Sequence, residues 1–89
     1  MTPELKARWI EALRSGEYRQ ARNAMNRDNE SYCCLGVLCL VGGVPADGGS
    51  FAYGFAWSNG VVASEYMALN DKRQWSFDQI ADYIEANVS

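Results

Sequence analysis

Nine consecutive residues, Cys33 to Val41, carry no charge and, apart from Gly36, are all apolar. In a chain of 89 residues such a run has to be buried whatever its secondary structure, and the rest of the fold has to be built around it. A polar cluster, Arg27-Asp28-Asn29-Glu30-Ser31, precedes the run and Gly42-Gly43 follows it. Cys34, Val37, Leu38 and Val41 fall at i, i+3, i+4 and i+7, which predicts a short buried helix, although the valines also suit a strand. The length fits one domain, residues 1–89. With 48% of residues hydrophobic and 21% charged, the chain is too apolar to stay disordered.

The absence of histidine excludes ordinary His-based triads and His-containing zinc sites. A net charge of −3 argues against a general nucleic-acid or anionic-membrane binder. The balance is uneven, for residues 1–30 hold six bases against five acids and residues 31–89 two against six. No run reaches the roughly 18 apolar residues of a membrane span, and Met1-Thr2-Pro3-Glu4 does not open like a signal peptide. Three cysteines, two of them adjacent, suit a reducing compartment, so a cytoplasmic location is expected.

Thr2 as N-cap, Pro3 in the first turn and an apolar stripe through Leu5, Trp9, Ala12 and Leu13 predict a helix over 3–14 that Gly16 ends. Glu17 to Met25 reads as extended. Gly42 to Ser50 reads as a mobile loop. Phe51, Tyr53, Phe55 and Trp57 alternate with Ala52, Gly54 and Ala56, the period of a strand with four rings on one face, and Asn59-Gly60 resembles a hairpin turn. Val62, Tyr66 and Leu69 share a helical face that Asn70-Asp71 closes. Ser76 and Gln79 form a capping box for a last helix carrying Phe77, Ile80, Ala81, Ile84 and Val88 inward. The expected fold is α+β, with three to four short helices on a small antiparallel sheet that contains residues 51–57.

Cys33, Cys34 and Cys39 lack the fourth ligand of a structural zinc site and a base to form thiolate, so they read as core, and no catalytic residue, metal or cofactor is assigned. Asp78, Asp82 and Glu85 read as the wet face of the last helix. The aromatic segment has three readings: core, subunit interface or ligand platform. If it binds a ligand, aromatic rings, arginines and loop donors have to converge, which nominates Arg8, Arg19, Arg22, Tyr53, Trp57, Asn70 and Arg73 for a nucleotide-like molecule. Arg19 and Arg22 are read as dispensable for folding.

Tyr32-Cys33-Cys34-Leu35-Gly36-Val37-Leu38-Cys39, then Leu69-Asn70-Asp71, then Ser76-Phe77-x-x-Ile80-Ala81-Asp82-x-Ile84-Glu85, together with Trp9-x-x-Ala12-Leu13-x-Ser15-Gly16-x-Tyr18, resemble a set of small phage and prophage proteins over nearly the whole chain. Two departures stand out: Leu40 occupies a position usually acidic in that set, and the stretch 43–60 is short. The resemblance implies a non-enzymatic, phage-encoded accessory protein of the bacterial cytoplasm; a homo-oligomer is expected besides, since the small face at Ala52, Gly54 and Ala56 lets another backbone approach. It would act in counter-defence by sequestering a nucleotide-derived immune signal, or by masking a host protein as an inhibitor, or it would serve as a structural adaptor.

Overall fold

The computed structural model describes residues 1–28, 30–47 and 49–88, with Ser50 and Phe51 described in their backbone alone. Helix α1 (Pro3–Arg14) starts where Thr2 accepts the Leu5 N–H at 3.2 Å and buries Trp9, Ile10 and Leu13. Three two-residue strands follow: β1 (Arg19–Gln20), β2 (Asn26–Arg27) and β3 (Ser31–Tyr32). Their order is β1-β3-β2, with β1 parallel and β2 antiparallel to β3. The small sheet is therefore mixed rather than wholly antiparallel, and the α+β class holds. The polar turn residue Asn29 lies outside the described residues.

The apolar run forms helix α2 (Cys34–Val41), as its i, i+3, i+4 spacing predicts. Cys34, Leu35, Val37, Leu38 and Cys39 are all buried. The N-terminal turn of α2 lies directly against the chain before β2, where the Cys33 N–H donates to Met25 O at 3.2 Å. A Cβ built on Gly36 would stand 2.2 Å from that same Met25 oxygen and 3.1 Å from Tyr32 Cβ. Only glycine permits this approach. Trp9 fastens α1 to α2 with an indole N–H donated to Cys34 O at 2.9 Å, inside the core. Helix α2 then ends in a Schellman turn: Val44 N–H bonds Cys39 O at 2.9 Å, and Gly43 takes the left-handed conformation at φ +75°.

The segment expected as an aromatic strand is helix α3 (Ser50–Ser58). Its alternation misleads because the most deeply buried of its described side chains are the small ones. Ala52 and Ala56, four apart and hence on one helical face, are fully or nearly fully buried. Tyr53 and Phe55 are half-buried and pack against the edge of the core, and Trp57 is exposed. Asn59-Gly60 makes no hairpin: Asn59 is the C-cap, and Val61 N–H bonds Ala56 O at 2.9 Å in a second Schellman turn. The mobility expected of the 42–50 loop falls partly on Gly48, outside the described residues.

Helix α4 (Ala63–Met67) does not stop at Asn70-Asp71. It widens into a π-helical turn, Ala68–Lys72, that buries Leu69 and Asn70. Helix α5 (Phe77–Asn87) starts at the predicted capping box, Gln79 N–H to Ser76 Oγ at 3.2 Å and Ser76 N–H to Gln79 Oε1 at 2.9 Å. It lays Phe77, Ile80, Ala81 and Ile84 against α1. Asp82 and Glu85 on its outer face pair with Arg14 at 2.6 and 3.3 Å. These pairs are exposed and add little to stability. Trp9, Tyr66, Tyr83 and Trp75 form a chain of ring contacts across the same side, with centroids 5.5 to 6.0 Å apart.

Gly36→Ala should cost roughly 3 kcal/mol, because the methyl group has to displace backbone rather than a pliant side chain. Urea unfolding of the two proteins measures it. A loss under about 0.5 kcal/mol, the range of an indifferent surface change, would contradict the close approach.

Candidate functional site

The chain linking β1 to β2 is held against the π-helical turn by an unusually dense set of side-chain hydrogen bonds. Asn70 is at 0% exposure, and its amide donates to Ala21 O at 2.8 Å and to Asp71 Oδ1 at 2.6 Å. Its own Oδ1 accepts from Gln20 Nε2 at 2.8 Å. Arg22 spreads its guanidinium over three carbonyls, donating to Asn70 O, to Trp75 O at 3.1 Å and to Gln74 O at 3.2 Å. Asn23, in the left-handed conformation at φ +59°, donates its N–H to Asp71 Oδ1 at 2.9 Å. Asn adopts that conformation more readily than most residues.

This staple makes one wall of a pocket of about 230 Å³, lined by Asn23, Ala24, Met25, Cys33, Tyr53, Met67 and Asp71. Helices α3 and α4 supply Tyr53 and Met67, the cap of α2 supplies Cys33, and the π-helical turn supplies Asp71. Single π turns recur at functional sites because the widened turn redirects a side chain. The pocket is mostly apolar, with one carboxylate and one phenol. Asp71 Oδ1 is taken by two donors, whereas Oδ2 and the Tyr53 hydroxyl make no hydrogen bond among the described residues.

The seven residues nominated from sequence do not converge. Tyr53 lines the pocket, Asn70 and Arg22 build its wall from behind, and Trp57 stands one helical turn beyond Tyr53 at 74% exposure. Arg19 lies in a neighbouring groove of about 520 Å³ with Arg22, Arg27, Asp28 and Glu30. Arg8 lines a separate shallow groove beside Tyr18 and Val41. Arg73 lies over the Trp75 ring, 5.7 Å from its centroid. Arg22 is no free ligand donor, since its guanidinium is spent on carbonyls; of these, Trp75 O has a second donor in Gln20 Nε2 at 2.8 Å. Asn23, Met25, Cys33, Met67 and Asp71 were missed. Only Asp71 carried a signal, as the neighbour of Asn70.

A broader groove of about 750 Å³ runs along α1 past Lys6, Ile10, Arg14 and Glu85. Arg14 there pairs with Asp82 and Glu85, Lys6 bonds the Glu85 carbonyl at 3.3 Å, and Glu11 is exposed. The smaller pocket is the better candidate because it sets an unpartnered carboxylate oxygen and a phenol beside the buried Met25 and Cys33.

Cys33 lies on the pocket floor at 4% exposure, and burial pushes its thiol above the ordinary value. Cys34 is pushed well above it, again by burial, with its Sγ 3.6 Å from Tyr66 O. Cys39 is pushed up to about 11. None is a thiolate nucleophile at neutral pH. Among the described residues no group of three or more Cys, Asp or Glu is arranged to hold a metal ion. No described helix is long and apolar enough to cross a membrane.

Residues 1–42 match a family described as a domain of unknown function (DUF8296), a span covering α1, the sheet and α2. No curated protein and no solved structure matches the chain.

The thiols make stability depend on pH in a definite direction. Raised values mean that the folded chain keeps protons which the unfolded chain sheds above the ordinary thiol value of 9.0. Burial raises the Tyr66 phenol as well. Stability is therefore full below that value and falls as pH rises toward and past about 11, where Cys39 ionises in place. Urea midpoints at neutral and at strongly alkaline pH should differ, the alkaline one lower. Equal midpoints would contradict burial of the thiols.

Proposed function

We propose that this is a non-enzymatic binding protein that masks a surface of a host protein. The observation that carries this reading is Trp57, an indole 74% exposed on an 89-residue chain and on the same helical face as Tyr53 at the pocket. Exposed tryptophan is the residue type most enriched at the energetic centres of protein interfaces. Val62 and Met67 on α4 and the residue before it are exposed as well. Sequestering a nucleotide-derived signal finds less support within one chain. The arginines are dispersed or committed, and about 230 Å³ falls below the roughly 300–1,000 Å³ of drug-sized ligand sites.

The likeness of the Tyr32–Cys39, Leu69–Asp71 and Ser76–Glu85 motifs to small phage and prophage proteins points to a phage-encoded protein at work in the host cytoplasm, with counter-defence as its role. The burial that keeps the thiols protonated and the engagement of Asp71 Oδ1 by two donors favour binding over catalysis.

Trp57→Ala should leave stability within about 0.5 kcal/mol, since the indole is exposed. Purified from bacterial cells, the wild-type chain should carry one host protein in stoichiometric amount, and the variant should lose it. Retention of that protein by the variant would contradict the reading. So would a nucleotide seen by native mass spectrometry on the wild-type chain and lost on Arg19→Ala.

A further inference from the structure

Between Arg27 and Lys72 the sequence holds no lysine or arginine and five acids, Asp28, Glu30, Asp47, Glu65 and Asp71. Helices α2 and α3 carry no charged side chain and α4 carries one, Glu65, so the charge at the pocket is that of Asp71. The two cations nearest in sequence do not offset it at the pocket. Arg22 is spent on backbone carbonyls behind the wall. Lys72, next to Asp71, is exposed and forms no ion pair among the described residues.

Inside the pocket the same sign prevails. Asp71 is its one charged side chain, with Oδ2 unpartnered, and it faces a space bordered by two thioethers, a phenol ring and a buried thiol. A carboxylate or phosphate would meet repulsion there. An aliphatic stem suits the methionines, which adapt to irregular apolar shapes. A cation at its end gains the carboxylate and a ring face. The volume admits one side chain, not a whole small-molecule ligand.

Resting on the surface-masking reading above, we propose that the pocket receives a lysine or arginine side chain from the protein partner, its stem against Met25, Met67 and Tyr53 and its charge on Asp71. Beyond the pocket the partner presents an apolar surface, and Trp57 packs beside the anchoring side chain. The ion pair on Asp71 weakens with salt.

The test uses the full chain, labelled with nitrogen-15, and two probes differing in one charge: N-acetyl-lysine methylamide and N-acetyl-norleucine methylamide. The lysine probe should shift the backbone amides of Asn23, Met67 and Asp71 and bind about fivefold more tightly than norleucine, the scale of one partly exposed ion pair. Asp71→Asn keeps an oxygen for the Asn23 N–H and should abolish that preference. Met67→Lys, on the exposed rim, puts the chain's own cation at the mouth and should weaken the lysine probe by a similar factor, so the test survives if Asp71→Asn fails to fold. Equal affinity for the two probes, or no shift at these three amides, would overturn the cationic anchor. Capture of a host protein that depends on Trp57 would still stand in that case, whereas loss of Trp57 dependence with the lysine preference intact would remove the surface-masking reading alone.

Discussion

One buried amide holds this structure in its shape. Asn70 is wholly inside the protein, and its side chain donates twice and accepts once, joining the β1–β2 chain to the π-helical turn across about fifty residues of sequence. Burying a primary amide without partners is costly, so the surrounding backbone has to come to it. That requirement explains several features together. The helix begun by α4 widens so that Asn70 points inward, Asn23 adopts a left-handed conformation to reach Asp71, and Arg22 closes the carbonyls that the widened turn leaves open. The pocket is what remains between this staple and α3.

A second constraint is the close seat of α2. Trp9 and Gly36 fix it from opposite sides, the indole by a hydrogen bond to Cys34 O and the glycine by admitting the Met25 carbonyl. Each large side chain buried around α2, such as Leu35, Leu38, Ile80 and Ile84, contributes roughly 1.5–3 kcal/mol. The three thiols are part of that packing. Their burial, which keeps them protonated, also explains why a chain with three cysteines has no nucleophile to offer. What the surface offers instead is an exposed indole and a small pocket with one carboxylate beside two methionines.

The elements legible in sequence were those whose signals are local. Thr2 and Pro3 marked the start of α1, Ser76 and Gln79 that of α5, and the spacing of Cys34, Val37, Leu38 and Val41 marked α2. Helix α3 was illegible because alternation of rings with alanine and glycine satisfies the strand period by accident. The deciding fact, that Ala52 and Ala56 are buried in the core while Tyr53 and Phe55 stay half-buried and Trp57 is exposed, belongs to tertiary structure. The same limit applies to the site. Asn23, Met25, Cys33, Tyr53, Met67 and Asp71 come from five separate elements or links and share no spacing. Arginine at position 22 looked like a free surface cation because nothing in the sequence marks its carbonyl partners near residues 70–75.

The account depends most directly on Asn70, and amide hydrogen exchange of Asn70→Ala against the wild-type chain measures its part residue by residue. If the side chain is the staple, protection at the Asn23 amide and through 70–75 falls sharply, while α1 and α5 keep theirs because their packing does not pass through it. Unchanged protection at Asn23 would contradict the claim, and so would a loss spread evenly over α1 and α5.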